Sequence, residues 1–356
     1  MNICSNYDNK LFSLSRILTH RNNIFRMEEY SFHIDGKRFD IIMNASGCRS
    51  RSKEHFDNLI QNGMKTIITK SCTLYENHGN PEPNFKEINE HTSINCLGMP
   101  NYGYKYYRDL FPEYYKQGIT YIISMDASNW EDLKTMLLDY DEFIGRIKTE
   151  CHTQDNIQNN IQNTAREFVE INVSCPNKLD AINNTTSRII AYDPILLSRL
   201  LENIKHLELV NLNIGIKLSP YVDKVLLEQI SKVLTTYSNI VKYIVCGNSI
   251  PNGMLINLES GKPLLSIKTG GISGTANRLL GVSNTYQFSN IFKHILKPYG
   301  NTSNHIAILG CGGIETDSDV LEYLNAGAYG VQIGRILYID GMERVVKISN
   351  KLMAKL

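Results

Sequence analysis

Eight short, largely apolar runs punctuate the chain: DIIMNAS (40–46), KTIITK (65–70), TYIISMDA (120–127), FVEINVSC (168–175), NIGIKLS (213–219), VKYIVCGN (241–248), HIAILGCGG (305–313) and AYGVQIG (328–334). Runs of this kind, apolar on both alternating faces, suit parallel strands buried on either side. Between most of them the apolar period lengthens to that of a helix, as in SKEHFDNLIQNG, PILLSRLLENIKHL, VDKVLLEQISKVLTTY and SDVLEYLNAG. Ahead of the first run, SFHI-DG-KRFDI sets Asp-Gly between alternating flanks, the pattern of a hairpin with a type I′ turn. Eight strands alternating with helices predict an α/β fold: a (β/α)8 barrel whose bottom the hairpin closes, with a doubly wound sheet as the alternative.

Two segments interrupt the pattern. CHTQDNIQNNIQNTAR (151–166) is rich in Asn and Gln and reads as a solvated surface loop. Residues 71–101, with GNPEP and LGMPN, are too long and turn-rich for a plain strand-to-helix connection, and loops of that length are usually functional. Residues 29–356 make one barrel domain. Residues 1–28 are a basic N-terminal extension, read as a disordered or loosely docked segment rather than an organelle presequence.

The formal charge of +1 advertises no nucleic-acid surface, and no apolar run is long enough to span a bilayer. The eight cysteines are scattered without a CxxC pair, which argues against a zinc site or a disulfide framework and fits a reducing cytosol. No metal is expected, and the cytoplasm is the expected location.

In a barrel, chemistry sits at the carboxyl ends of the strands. Those ends read Asn44, Ala45 and Ser46; Lys70 and Ser71; Asn172, Ser174 and Cys175; Lys217; Asn248 and Ser249; Gly312 and Gly313; Gly334 and Arg335. Two lysines closing buried runs are unusual, although a snorkelling cation at the rim explains either one alone. Glycines cluster in TGGISG after the sixth strand, in GCGG and in IGR. The last two fall at strands seven and eight, whose loops commonly hold a phosphate through backbone N–H groups. No GxxxxGK[ST] or strand-linked GxGxxG points to a triphosphate or dinucleotide. One phosphate plus a lysine at a mid-barrel strand end suits flavin mononucleotide, FMN, because a cation near the N1–C2=O edge favours the reduced flavin.

The motifs MNASG, TKSCT, GNPEP, SIN-LG-PNYG, EINVSCPN, KLSPYVD, NSIPNG, the double glycine at 270–271, GCGGI and GVQIG follow one another in the order found in the dihydroorotate dehydrogenases. From about Phe39 to its end the chain resembles the soluble class of that family, and within it the fumarate-linked homodimers. The resemblance implies oxidation of dihydroorotate to orotate in pyrimidine biosynthesis, with FMN as cofactor and fumarate as oxidant. It implies Cys175 as the base, aided by Ser174 and Lys70, since membrane-bound relatives use serine in place of that cysteine. Asn95, Leu97, Gly98, Met99, Asn172, Asn177, Asn248 and Ser249, with Lys70, would surround the pyrimidine. Ala45, Ser46, Lys70, Ser71, Asn172, Lys217, Gly247, Gly270, Gly271, Gly312, Gly313, Gly334 and Arg335 would surround the flavin and its phosphate.

Some positions depart from the family pattern. Arg335 replaces a usual Thr and is expected to hold the phosphate as a guanidinium fork. Asn84 replaces an Arg, which would loosen the loop over the site or the dimer contact. Leu97 and Met99 exchange apolar pocket residues, and Ser219, Gly247 and Pro251 also differ. KLDAINNTTSRIIAYD after Asn177 is long, as for a larger lid. Two other readings use the same fold: an FMN-dependent tRNA dihydrouridine synthase, which the balanced charge disfavours, and a flavin-binding barrel without turnover.

Overall fold

A computed structural model describes residues 30–154, 165–174, 189–296 and 305–355. The predicted hairpin is β1 (Ser31–Ile34) and β2 (Lys37–Asp40). Asp35 and Gly36 between them both have positive φ, as a type I′ turn requires. The barrel strands follow: β3 (Ile42–Asn44), β4 (Thr66–Ile68), β7 (Thr120–Asp126), β8 (Glu167–Asn172), β9 (Leu212–Leu218), β10 (Val241–Cys246), β13 (Ala307–Cys311) and β14 (Gly330–Ile333). Their order is β3-β14-β13-β10-β9-β8-β7-β4, and every ladder between them is parallel. The (β/α)8 barrel holds, and the doubly wound alternative does not.

The end strands β3 and β4 share no backbone ladder among those described; side chains fasten the seam instead. Asn44 donates from Nδ2 to the Ile68 carbonyl (2.6 Å), and its Oδ1 accepts from the Ile68 N–H (3.0 Å). Lower down, Asp40 Oδ2 accepts from the N–H groups of Lys65 and Thr66, both at 2.7 Å. Asn44 was read from the sequence as part of the catalytic rim, but its amide is spent on the wall. Asn44→Ala orphans two buried backbone groups, so the expected loss is about 2–4 kcal/mol of stability, read as a lower denaturation midpoint.

Inside the barrel, Phe39, Phe168 and Tyr243 pack with Met43, Ile68, Ile122, Val245, Ala307 and Leu309. Phe39 meets Phe168 edge-on at 5.1 Å, and Phe32 stacks on Phe39 at 5.6 Å, so the hairpin seals the bottom. The helices form the outer layer: α1 (Lys53–Gln61), α2 (Tyr104–Lys116), α3 (Trp130–Gln154), α4 (Pro194–Lys205), α5 (Lys224–Thr236), α6 (Arg278–Ile295), α7 (Asp317–Asn325), α8 (Arg335–Ile339) and α9 (Gly341–Met353). Their starts follow sequence rules. Asp193 and Asp223 accept from the first free N–H groups of α4 and α5, and Thr316 with Asp319 forms a capping box on α7. Helix α4 buries Leu197, Leu200, Leu201 and Ile204, the spacing of one helical face.

Above the carboxyl ends lies a second, antiparallel sheet of order β11-β12-β6-β5, built from β5 (Phe85–Asn89), β6 (Thr92–Asn95), β11 (Ile250–Met254) and β12 (Thr269–Gly274). It corrects the expectation of a plain long loop at residues 71–101, which supply β5 and β6, and it makes the glycine-rich TGGISG segment a strand. The expected surface loop at 151–166 is also shortened, since α3 runs through Gln154; residues 155–164 lie outside the described residues.

Candidate active site

The carboxyl ends of the barrel strands and the underside of the lid sheet enclose a cavity of about 1190 Å³, counting the solvent at its mouth. Ala45, Ser46, Lys70, Lys217, Asn248 and Ser249 face it from the barrel, and Phe85, Ser93, Asn95, Leu97 and Ser273 from the lid. Strand register explains the convergence. Asn172 at the end of β8 stands opposite Lys217 of β9, while Asn95 of β6 stands opposite Gly271 of β12.

Behind the wall runs a chain of hydroxyls and amides. Asn248 Nδ2 donates to Ser174 Oγ (2.6 Å), Ser174 Oγ donates to Asn172 Oδ1 (2.9 Å), and Asn172 Nδ2 donates to Ser71 Oγ (3.1 Å). Ser71 Oγ then meets Ser46 Oγ at 3.0 Å and Ser124 Oγ at 2.9 Å. Asn172, Ser174 and Ser71 are buried, so the chain fixes the rotamers of three strand ends at once. Cys175 and Asn177 lie outside the described residues.

Two glycines let the lid come close. A Cβ on Gly271 would sit 2.2 Å from Ser249 Oγ, and one on Gly270 would sit 2.5 Å from the Asn95 carbonyl oxygen. Gly247, with φ +137°, brings its Cα side within 2.3 Å (as a built Cβ) of the Cys311 carbonyl oxygen, so a larger residue is excluded there. Leu97 reaches the cavity, whereas Gly98 and Met99, both at positive φ, form the turn behind it. Asn84 does not leave its loop loose: its Nδ2 donates to the Asn80 carbonyl at 2.9 Å.

At the far end Gly312, Gly313, Gly334 and Arg335 line the cavity. Gly313 has φ +64°, and a Cβ there would lie 2.7 Å from Arg278 Cβ, so the backbone itself forms the wall. The expected guanidinium fork is turned elsewhere. Arg335 donates from Nη2 to the Glu90 carbonyl (2.8 Å) and from Nη1 to Glu315 (3.3 Å), whose other oxygen meets His91 Nδ1 at 2.7 Å. The fork thus ties the β5–β6 hairpin tip to the rim, and Glu315 holds the His91 imidazole above its usual pKa. Arg335 Nη2 also reaches the Asn89 carbonyl at 3.4 Å, and its Nε is buried without a hydrogen-bond partner.

Lys217 is 3% exposed and lines the cavity midway along it. One pleat deeper on the neighbouring strand is Glu170, fully buried, which accepts at Oε2 from Gln332 Nε2 (2.6 Å) and Tyr243 Oη (3.3 Å). Neither Glu170 nor Gln332 was singled out from the sequence, although each is a polar letter in an apolar strand, two residues before a rim position. Cys48, Arg49, Asn277 and Tyr338 also line the cavity unforeseen; they sit in loops or early turns, where no periodicity marks them.

The arrangement suits a long ligand with a polar ring edge against Lys217 and an anion against the glycine loops. A model of the family described as dihydroorotate dehydrogenase matches residues 31–356. Similar proteins include the probable dihydroorotate dehydrogenase A (fumarate) of Streptococcus pneumoniae serotype 4, 30% identical over 323 residues, 90% of this chain and 91% of that protein. The dihydroorotate dehydrogenase (fumarate) of Kluyveromyces lactis is 29% identical over 318 residues, 88% of each chain. That of Lachancea kluyveri is 30% identical over 315 residues, 87% of each chain.

Proposed function

Because the chain belongs to the dihydroorotate dehydrogenase family, we propose that it oxidises dihydroorotate to orotate in pyrimidine biosynthesis, with FMN as its flavin and fumarate as its oxidant. The observation that carries this reading is a buried lysine, Lys217, facing a cavity whose other end is a wall of glycine backbone at Gly312 and Gly313. That donor set fits FMN: one cation for the ring edge, and the glycine backbone at Gly312 and Gly313 for the phosphate. Ala45, Ser46, Ser71, Asn172, Gly247, Gly270, Gly271 and Gly334 would complete its surroundings. When bound, FMN supplies N5 as the hydride acceptor for C6 of the substrate.

The chain's own residues do the rest. Cys175 Sγ takes the C5 proton, on the substrate face away from the flavin, and returns it to solvent. Ser174 orients that thiol through its bonds to Asn172 and Asn248. Asn95, Asn172, Asn177, Asn248 and Ser249 present both donors and acceptors, as an imide edge does. Lys70 adds positive charge between the two ligands, which favours the thiolate. Leu97 covers the ring, and Gly98 and Met99 shape the turn that carries it.

No helix among the described residues is long and apolar enough to cross a membrane; a cytoplasmic homodimer remains part of the proposal on the strength of the resemblance. The match across residues 31–356 leaves the dihydrouridine synthase alternative without support. The deciding experiment is anaerobic. Dihydroorotate should bleach the purified yellow protein, and fumarate, offered beside NAD and a quinone, should restore the colour fastest. A flavin that dihydroorotate does not bleach would instead mean a barrel without turnover.

A further inference from the structure

The barrel interior carries an acid that the proposed reaction does not use. Glu170 projects inward from the middle of β8, between the apolar floor at Phe168 and the rim at Asn172. Its neighbour across the ladder is Gly215, where a Cβ would fall 2.0 Å from Tyr243 Cζ. The glycine therefore makes room for the Tyr243 ring to lie across β9 and reach the carboxylate. From the other side of the barrel Gln332 of β14 reaches the same oxygen. Both contacts are donors, which favours the ionised acid.

Burial outweighs the other influences and raises the Glu170 carboxyl above its usual range, while the Lys217 charge, Gln332 and Tyr243 hold that rise back. Cys311 is the further titratable group that feels the acid, and burial keeps its thiol neutral. A fully buried carboxylate is costly unless a charge compensates it. Lys217, one pleat above on the adjoining strand, is the cation placed to do so, without a contact short enough to be an ion pair.

We propose that Glu170 is the counter-charge of Lys217, a positioning residue that restrains the electron affinity which a lone buried lysine would confer on a flavin above it. This rests on the FMN reading. A flavin that must receive a hydride from one substrate and pass electrons to another is poorly served by an uncompensated cation, which would hold the reduced form too firmly. The acid leaves Lys217 charged for contact at the ring edge but lowers the net field reaching it.

The test compares wild-type holoenzyme with Glu170→Gln and Glu170→Met. Both remove the charge, one through a polar and one through an apolar side chain, so a packing defect would not move them alike. Expected for each are a more positive flavin midpoint potential, sulfite binding to the flavin tighter by roughly tenfold or more, and slower reoxidation by fumarate. A midpoint potential that does not rise, with a sulfite affinity within twofold of wild type, would overturn the proposal, because Glu170 would then already be neutral. Loss of flavin from both variants would also overturn it, since a moderator of Lys217 is dispensable for retention. A wild-type protein that binds no flavin, or whose flavin dihydroorotate does not bleach, would refute the underlying reading and not this inference alone.

Discussion

Cys175→Ala is expected to slow flavin reduction by dihydroorotate about 10²–10⁴-fold, the usual loss when a positioned general base is removed. The flavin itself should stay bound, since the proposed cofactor contacts at Lys217, Gly312 and Gly313 are untouched by the substitution. The size of the effect follows from the C5 proton, which is too weakly acidic to leave unaided. The approach to residue 175 is rigid: Ser174 is buried and held on both sides, by Asn172 and by Asn248. Cys175→Ser should retain more activity than alanine at high pH, because a hydroxyl needs a stronger push to give up its proton. Rapid-mixing bleaching, followed across pH, reads all three proteins. A rate for Cys175→Ala within tenfold of wild type would mean that another group takes the proton.

Lys217→Met should slow the same half-reaction, flavin reduction, but through the flavin rather than the proton, and it should move the potential in the sense opposite to Glu170→Gln. The methionine keeps the unbranched apolar stem of the lysine and lacks only its terminal ammonium, so the strand packing around Ile216 and Leu218 should hold. What goes is a buried cation facing the site where negative charge gathers, and removing one such stabilising group costs about 10²–10³ in rate. The midpoint potential should fall, and sulfite binding should weaken. Spectroelectrochemistry gives the first and absorbance titration the second. A potential that rises, or does not move, would place the lysine away from the ring edge.

Much of this was legible in the letters because a parallel barrel writes its strands as compact apolar runs. The rim residues came with them: Lys70, Lys217, Asn248, Gly312 and Gly334 each close such a run, and each lines the cavity. The lid sheet was hidden for a physical reason. Strand β5 is FKEIN and mostly exposed, with no buried face to impose alternation, and β12 is TGGISG, whose glycines carry no side chain to alternate. Arg335 misled because its charge fits a phosphate equally well on paper; only the position of Glu315 and the hairpin carbonyls shows where the fork goes. Glu170 and Gln332 were visible as anomalies, but a pair 162 residues apart reveals its meaning only when the ring brings β8 and β14 to face each other.

The seam beside β3 bears on how the ring comes to exist at all. On one side that strand is fastened by Asn44 to a residue 24 positions further on, a contact within reach as soon as a short stretch of chain has emerged from the ribosome. On the other side its ladder is with β14, where Asn44 stands opposite Ile333. A nascent chain can therefore hold its first strand in register early, through side chains, and wait for nearly all of translation before the circle shuts. Loop-closure entropy grows only with the logarithm of length, so the late step is slow to become possible but not much harder to complete.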